Sequence, residues 1–153
     1  MKSRMRRQSR TFFVHALPLF LAFGLAACNA SLRRSGIPAA AQTVLQEAIE
    51  DIDAGRYDKL YQEAADEWRN QSSLEESRAT LQRMRDKLGN ARTRTQQTAR
   101  DEQTSTAPVA GHSITVIYQT SFDRGEGIET FTVIEHAGRW SLAKYYVSSS
   151  GLR

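Results

Sequence analysis

The chain has little of what metal, redox or covalent chemistry needs. Its 153 residues hold one cysteine, Cys28, so neither an internal disulfide nor a thiolate metal cluster can form. The three histidines, His15, His112 and His136, lie far apart, without His-x-His or His-Glu-x-x-His spacing, and no acidic calcium loop occurs. A metal or cofactor site is therefore not expected. Gly-x-Ser-x-Gly, a phosphate-cradling loop and a dinucleotide fingerprint are all missing. Gly125-Glu126-Gly127 reads as a turn, because it lacks the strand-then-helix context of a nucleotide loop. With no recognisable catalytic constellation, an enzyme is not expected. The longest apolar run, Thr11 to Ala26, falls short of the roughly 20 residues of a spanning helix.

That run has a direction. Before it stand Lys2, Arg4, Arg6, Arg7 and Arg10 with no acid, and after it come Leu25-Ala26-Ala27-Cys28. A basic start, a short apolar stretch and small residues at the end form a secretory signal. Leu25 to Cys28 resembles the lipobox of bacterial lipoproteins. The resemblance implies cleavage before Cys28 and attachment of diacylglycerol, and usually of an amide-linked acyl chain such as palmitate, at that residue. The expected location is then the bacterial cell envelope, with the domain in the periplasm. Asn29 in place of aspartate favours the outer over the inner membrane. Loss of residues 1–27 removes five bases and leaves 16 against 17 acids, a net charge near −1. The basic character of the whole chain belongs to the leader, so nucleic acid is not an expected partner.

Residues 28–38 read as a lipidated tether, with Arg33 and Arg34 able to touch anionic headgroups. Residues 39–148 read as one domain and 149–153 as a polar tail. The first helix starts at Ala39, with Val44, Leu45, Ala48, Ile49 and Ile52 in one stripe and Gly55 as its stop. The second carries Tyr57, Leu60, Tyr61, Ala64, Ala65 and Trp68. The third opens on a Ser73–Glu76 capping box, shows Leu74, Leu81, Met84 and Leu88, and ends at Gly89.

The period then changes to two. A polar strand is expected over 91–100 and a loop over 101–111. Strands follow over 112–122, with Ile114, Val116, Tyr118 and Phe122 on one face, and over 128–136, with Phe131 and Val133. The last, 139–147, sets Trp140, Leu142 and Tyr146 opposite Ala143, Tyr145 and Val147. Helices followed by strands predict an α+β fold, with three N-terminal helices packed on a curved antiparallel sheet of about four strands. The two apolar faces of the last strand suggest a covered outer face, hence a protein partner or a homodimer through the sheet.

Arg78, Arg83, Arg85, Lys87, Arg92, Arg94 and Arg100 form a basic cluster along the third helix and first strand. Such a run is either a solvated face balanced by Glu75, Glu76 and Asp86 or a docking surface for an acidic partner. The candidate partner-binding residues are Arg83, Arg85, Arg92 and Arg94.

Several segments carry a second resemblance. They are Asp53-Ala54-Gly55-Arg56-Tyr57, Leu88-Gly89 followed by Arg92, Tyr118-Gln119-Thr120-Ser121-Phe122, Glu129-Thr130, and Trp140 through Tyr145-Tyr146. Together they resemble a small bacterial family of unknown function on the cone-shaped fold of nuclear transport factor and ketosteroid isomerase relatives, also called cystatin-like. The chain departs from it at Lys144, where the family carries Gly, and at Tyr61, where Trp is common. The isomerase-like branch holds an acid inside its cone, and Asp58, Asp66, Glu129 and Glu135 are the candidates. Glu129 and Glu135 share the parity of Phe131 and Val133. They either point inward or pair with Arg139 or Lys144 on the neighbouring strand. The expectation is a membrane-anchored, non-enzymatic protein- or envelope-binding module, with a small-ligand-binding cone as the alternative and an isomerase-like enzyme behind it.

Overall fold

A computed structural model describes residues 36–104 and 111–153. The signal segment, Cys28, most of the tether and part of the expected loop lie outside those residues. The order is α1 (Ala39–Asp53), α2 (Tyr57–Glu63), α3 (Asp66–Arg69), α4 (Leu74–Leu88), then β1 (Ala91–Thr104), β2 (Gly111–Phe122), β3 (Gly125–His136) and β4 (Arg139–Ser148). A single 3₁₀ turn, Ser150–Leu152, sits in what reads as a polar tail. The fold is α+β, with one open antiparallel sheet in the order β1-β2-β3-β4.

Helical stripes bury one face of that sheet. Ala41, Leu45, Ala48 and Ile52 of α1 recur at three- and four-residue steps, and all are buried with Tyr57, Leu60 and Leu81 against Ile114, Val116, Phe131, Val133, Trp140 and Leu142. Each large aliphatic or aromatic side chain so covered contributes about 1.5–3 kcal/mol. The capping box of α4 forms as expected: the Ser73 hydroxyl accepts from the Glu76 amide, and the Glu76 carboxylate accepts from the Ser73 amide. Gly89 ends α4 at φ +80, a region open to glycine, and a Cβ there would overlap the Asp123 side chain. The Arg85 guanidinium donates to the Ile52 and Asp53 carbonyls, both at 2.9 Å, and so caps the end of α1.

The structure departs from the sequence reading in three places. The expected second helix is two. Ala64 and Ala65 are extended, and the Ala65 amide donates to the Leu142 carbonyl at 2.9 Å. Two small buried side chains let the backbone approach β4, and that bond replaces a helical one. Secondly, β1 runs on through residues expected to be a loop and pairs as far as Thr104↔Gly111. On the other side, β3 begins directly after the two-residue turn Asp123-Arg124. Thirdly, β4 carries a bulge at Ala143, because Val133 pairs with Leu142 while Thr132 pairs with Lys144. The extra residue reverses parity. Trp140, Leu142, Tyr145 and Val147 therefore share the helix-covered face, and Tyr146 alone of the large residues turns outward and is exposed. The surplus apolar face expected on β4 is thus spent inside.

Candidate functional site

Under the end of α1, five side chains from five elements converge. Glu129 of β3 is fully buried. Its Oε2 accepts from Arg94 Nε at 2.6 Å and from Thr120 Oγ1 at 2.5 Å. Its Oε1 accepts from Tyr145 OH at 2.7 Å and from Arg94 Nη2 at 3.3 Å. The two terminal nitrogens of Arg94 also grip both oxygens of Asp53, each at 2.7 Å. Burial opposes the charge on Arg94, but its bonds to Asp53 and Glu129 outweigh burial and hold it cationic. Burial, aided by the Glu129 charge, pushes the Tyr145 hydroxyl well above its usual value, so it stays a donor.

Every lone-pair direction of Glu129 is thereby engaged. The free space beside the network is about 20 Å³. That holds one water and no substrate. A buried base needs a proton to take, and among the described residues only Glu129's own donors are within reach. The arrangement acts as a polar clasp joining α1 to β1, β2, β3 and β4.

The other acids are spread. Asp58 pairs with Arg78 through two bonds at 2.6 and 2.5 Å on the surface, and Asp66 pairs with Arg69 at 2.6 Å. Asp51, which the sequence does not single out, is buried. Burial raises its pKa, but bonds from Lys59 at 2.8 Å and Arg56 at 2.7 Å prevail and lower it.

Glu135 meets His112. The imidazole lies between two carboxylates, with Nδ1 3.1 Å from Glu135 and Nε2 2.8 Å from Asp101, and its ring stands edge-on to Trp140 at 4.9 Å. Both carboxylates raise the His112 pKa, Glu135 more than Asp101. A raised native pKa stabilises the fold below the unfolded value of about 6.5, and the gain is lost as pH rises through the native value. The stability difference between wild type and His112→Asn, read from urea midpoints, is expected to be largest near pH 6 and to shrink by pH 9. A difference that grows with pH would contradict the pairing. His136, the last residue of β3, meets Glu67 at 2.7 Å. Among the described residues no group of three or more metal-ligating side chains occurs, and no helix is long and apolar enough to cross a membrane.

The family model that matches this chain is described as a protein of unknown function, DUF4019, and it spans residues 43–145. The chain belongs to the DUF4019 family. No curated protein matches the chain. All five members of the clasp fall within the DUF4019 stretch, with Tyr145 as its last residue.

In this DUF4019 chain the four arginines singled out by sequence do not form one surface. Arg94 is in the clasp, Arg85 caps α1, and Arg92 pairs with Asp123 beside the β2–β3 turn. Of the four, Arg83 stays on an open face, where among the described residues it donates to the Thr80 hydroxyl at 3.2 Å. That face belongs to a groove between α4 and β4. One part, about 310 Å³, is lined by Trp68, Ser77 and Lys144, and the next, about 400 Å³, by Met84, Tyr146 and Leu152. Thr80, Leu81 and Tyr145 line both, so the groove is continuous. Residue pattern alone could not reveal it, because the Ala143 bulge decides which side chains of β4 face it.

Proposed function

We propose that this chain is a bacterial lipoprotein, anchored through acylated Cys28, whose domain is a non-enzymatic protein-binding module on the periplasmic side. The observation that carries the binding half is the open groove between α4 and β4, set against a Glu129 network that leaves only about 20 Å³ free beside it. The anchoring half is supported by Leu25 to Cys28 behind a basic and apolar leader. Each buried CH₂ contributes about 0.8 kcal/mol, so two or more chains hold a protein firmly where one does not. Asn29 favours the outer membrane. The helices on one face of a four-strand antiparallel sheet support the cone-shaped, nuclear-transport-factor-like reading of the fold. The tether from Cys28 to Pro38 spans 11 residues. At full extension it reaches about 40 Å. The groove would then work close to the membrane surface.

Cys28→Ser is expected to shift the protein from the membrane pellet to the soluble fraction of the cell. Intact mass of the wild-type protein should show a chain that begins at Cys28 and carries acyl groups. A wild-type chain that keeps its arginine-rich leader, or an unmodified thiol, would defeat the anchoring half.

A further inference from the structure

We propose that the open edge of β4 and the neighbouring face of α4 dock an extended, acidic segment of a partner protein as a fifth strand; this rests on reading the chain as a binding module. The edge follows from register. The β2–β3 hairpin closes on Phe122↔Gly125 and the β3–β4 hairpin on His136↔Arg139, each around a two-residue turn. Counting from either closing pair gives one answer. Glu129, Phe131 and Val133 spend their main-chain bonds on β2, and Thr130 and Thr132 spend theirs on β4. The β4 residues opposite Val133, Phe131 and Glu129 are Leu142, Tyr145 and Val147. Their main-chain groups therefore face away from the sheet.

Leu142 bears this out, since its carbonyl accepts the Ala65 amide from outside. Beyond the bulge, no described segment bonds to the outward groups of Tyr145 and Val147. A bulge and a lysine on an edge are devices that discourage strand addition, and here they sit at Ala143 and Lys144. They blunt the first half of β4. Residues 145–148 pair with β3 without a register shift.

In the groove beside that edge cations outnumber acids. Ser77, Thr80, Leu81, Met84 and Lys87 follow the helical three-and-four step along α4 and form its far wall. Its cations are Arg83, Lys87 and Lys144. Lys87 Nζ donates to the Leu152 carbonyl at 3.1 Å, and Lys144 Nζ lies 5.1 Å over the Tyr146 ring. None of the three has a carboxylate partner among the described residues. The acid that lines the groove, Glu76, is held at 2.9 Å by the amide and hydroxyl of Ser73. An added strand would bond to the outward amides, place alternate apolar side chains on Leu81, Met84 and Tyr145, and offer carboxylates to the cations. A second copy fits less well, because two-fold pairing of β4 edges brings these cations against their own copies.

The test uses the purified full chain in neutral-lipid nanodiscs and a fluorescent peptide of about eight residues, a strand's length, alternating glutamate with valine. It is expected to bind at least about tenfold more tightly than the same peptide with lysine for glutamate. Methylation of its alternate backbone amides should cost a further tenfold or so, because strand addition needs those donors. Val147→Pro removes an outward amide that β3 does not use and should weaken binding by about tenfold without disturbing the sheet. Arg83→Glu with Lys87→Glu, both on an exposed helix face, should remove the preference for glutamate. No binding, equal binding of the two peptides, or indifference to Val147→Pro and to the charge reversal would overturn the proposal. Binding to anionic vesicles in place of peptide, or concentration-dependent dimerisation abolished by Val147→Pro, would replace the partner strand with a lipid surface or a second copy. The mass of Cys28 is read separately, so a groove that fails leaves the anchor standing, and an unmodified Cys28 leaves the groove to be judged by its peptides.

Discussion

Arg94→Met is expected to lower the unfolding free energy by about 3–5 kcal/mol, most of what a small domain has to spare. The reason lies in what stays behind. Glu129 remains fully buried, with its only cation gone and two neutral donors, Thr120 and Tyr145, left to support its charge. Taking that charge out of water costs several kcal/mol per ion, and the methionine cannot offset it. Asp53 suffers less, because its side chain is 43% exposed and water can replace the lost bonds. Glu129→Gln should cost less than Arg94→Met, since it removes the buried carboxylate and leaves Arg94 paired with Asp53. The double variant should be less destabilised than the two single losses added together, because the two changes remove one shared interaction. Urea midpoints of the four proteins give the answer. A loss below about 1 kcal/mol for Arg94→Met would mean that water reaches Glu129 freely.

Phe131→Ala is expected to cost about 3–5 kcal/mol as well, by a different route. Phe131 has no exposed surface. Its ring meets Tyr118 edge-on at 5.8 Å and Tyr145 at 4.7 Å, so it holds the middle of the aromatic layer. Truncation removes apolar burial, leaves a cavity that neighbours on a sheet cannot easily close, and breaks two ring contacts of about 0.5–1.5 kcal/mol each. It also frees the Tyr145 ring whose hydroxyl supports Glu129. Phe131→Leu, which keeps much of the volume, should cost roughly half as much. Thermal and urea unfolding of both variants test this. Equal losses would show that the ring contacts, not the volume, dominate.

Parity on β3 made part of this legible in advance. Glu129 and Glu135 share the face of Phe131 and Val133, and both carboxylates do lie on the helix-covered side. Their partners were not legible. Arg94 sits in a strand of Arg, Thr and Gln with no apolar alternation, so nothing local says which side faces in. Bulges between Ala91 and Thr93 and between Gln96 and Thr98 shift that strand against β2, and the shifts set Arg94 opposite Thr120 within reach of Glu129. The arginine cluster misled for a related reason. Neighbours in sequence were sent to a helix cap, a turn and a buried clasp by elements tens of residues away.

The sequence alone determined the order of helices and strands, the capping box of α4, the stop at Gly89 and the face shared by Phe131 and Val133. Each rests on periodicity or on backbone chemistry within a few residues. Only the tertiary structure decided that α2 breaks at Ala64-Ala65, that Ala143 is bulged, that Arg94 closes on Glu129, and that the second half of β4 is an open edge beside α4. Those outcomes depend on hydrogen bonds and charge pairs between distant segments. Their free energy exists only once the segments have met.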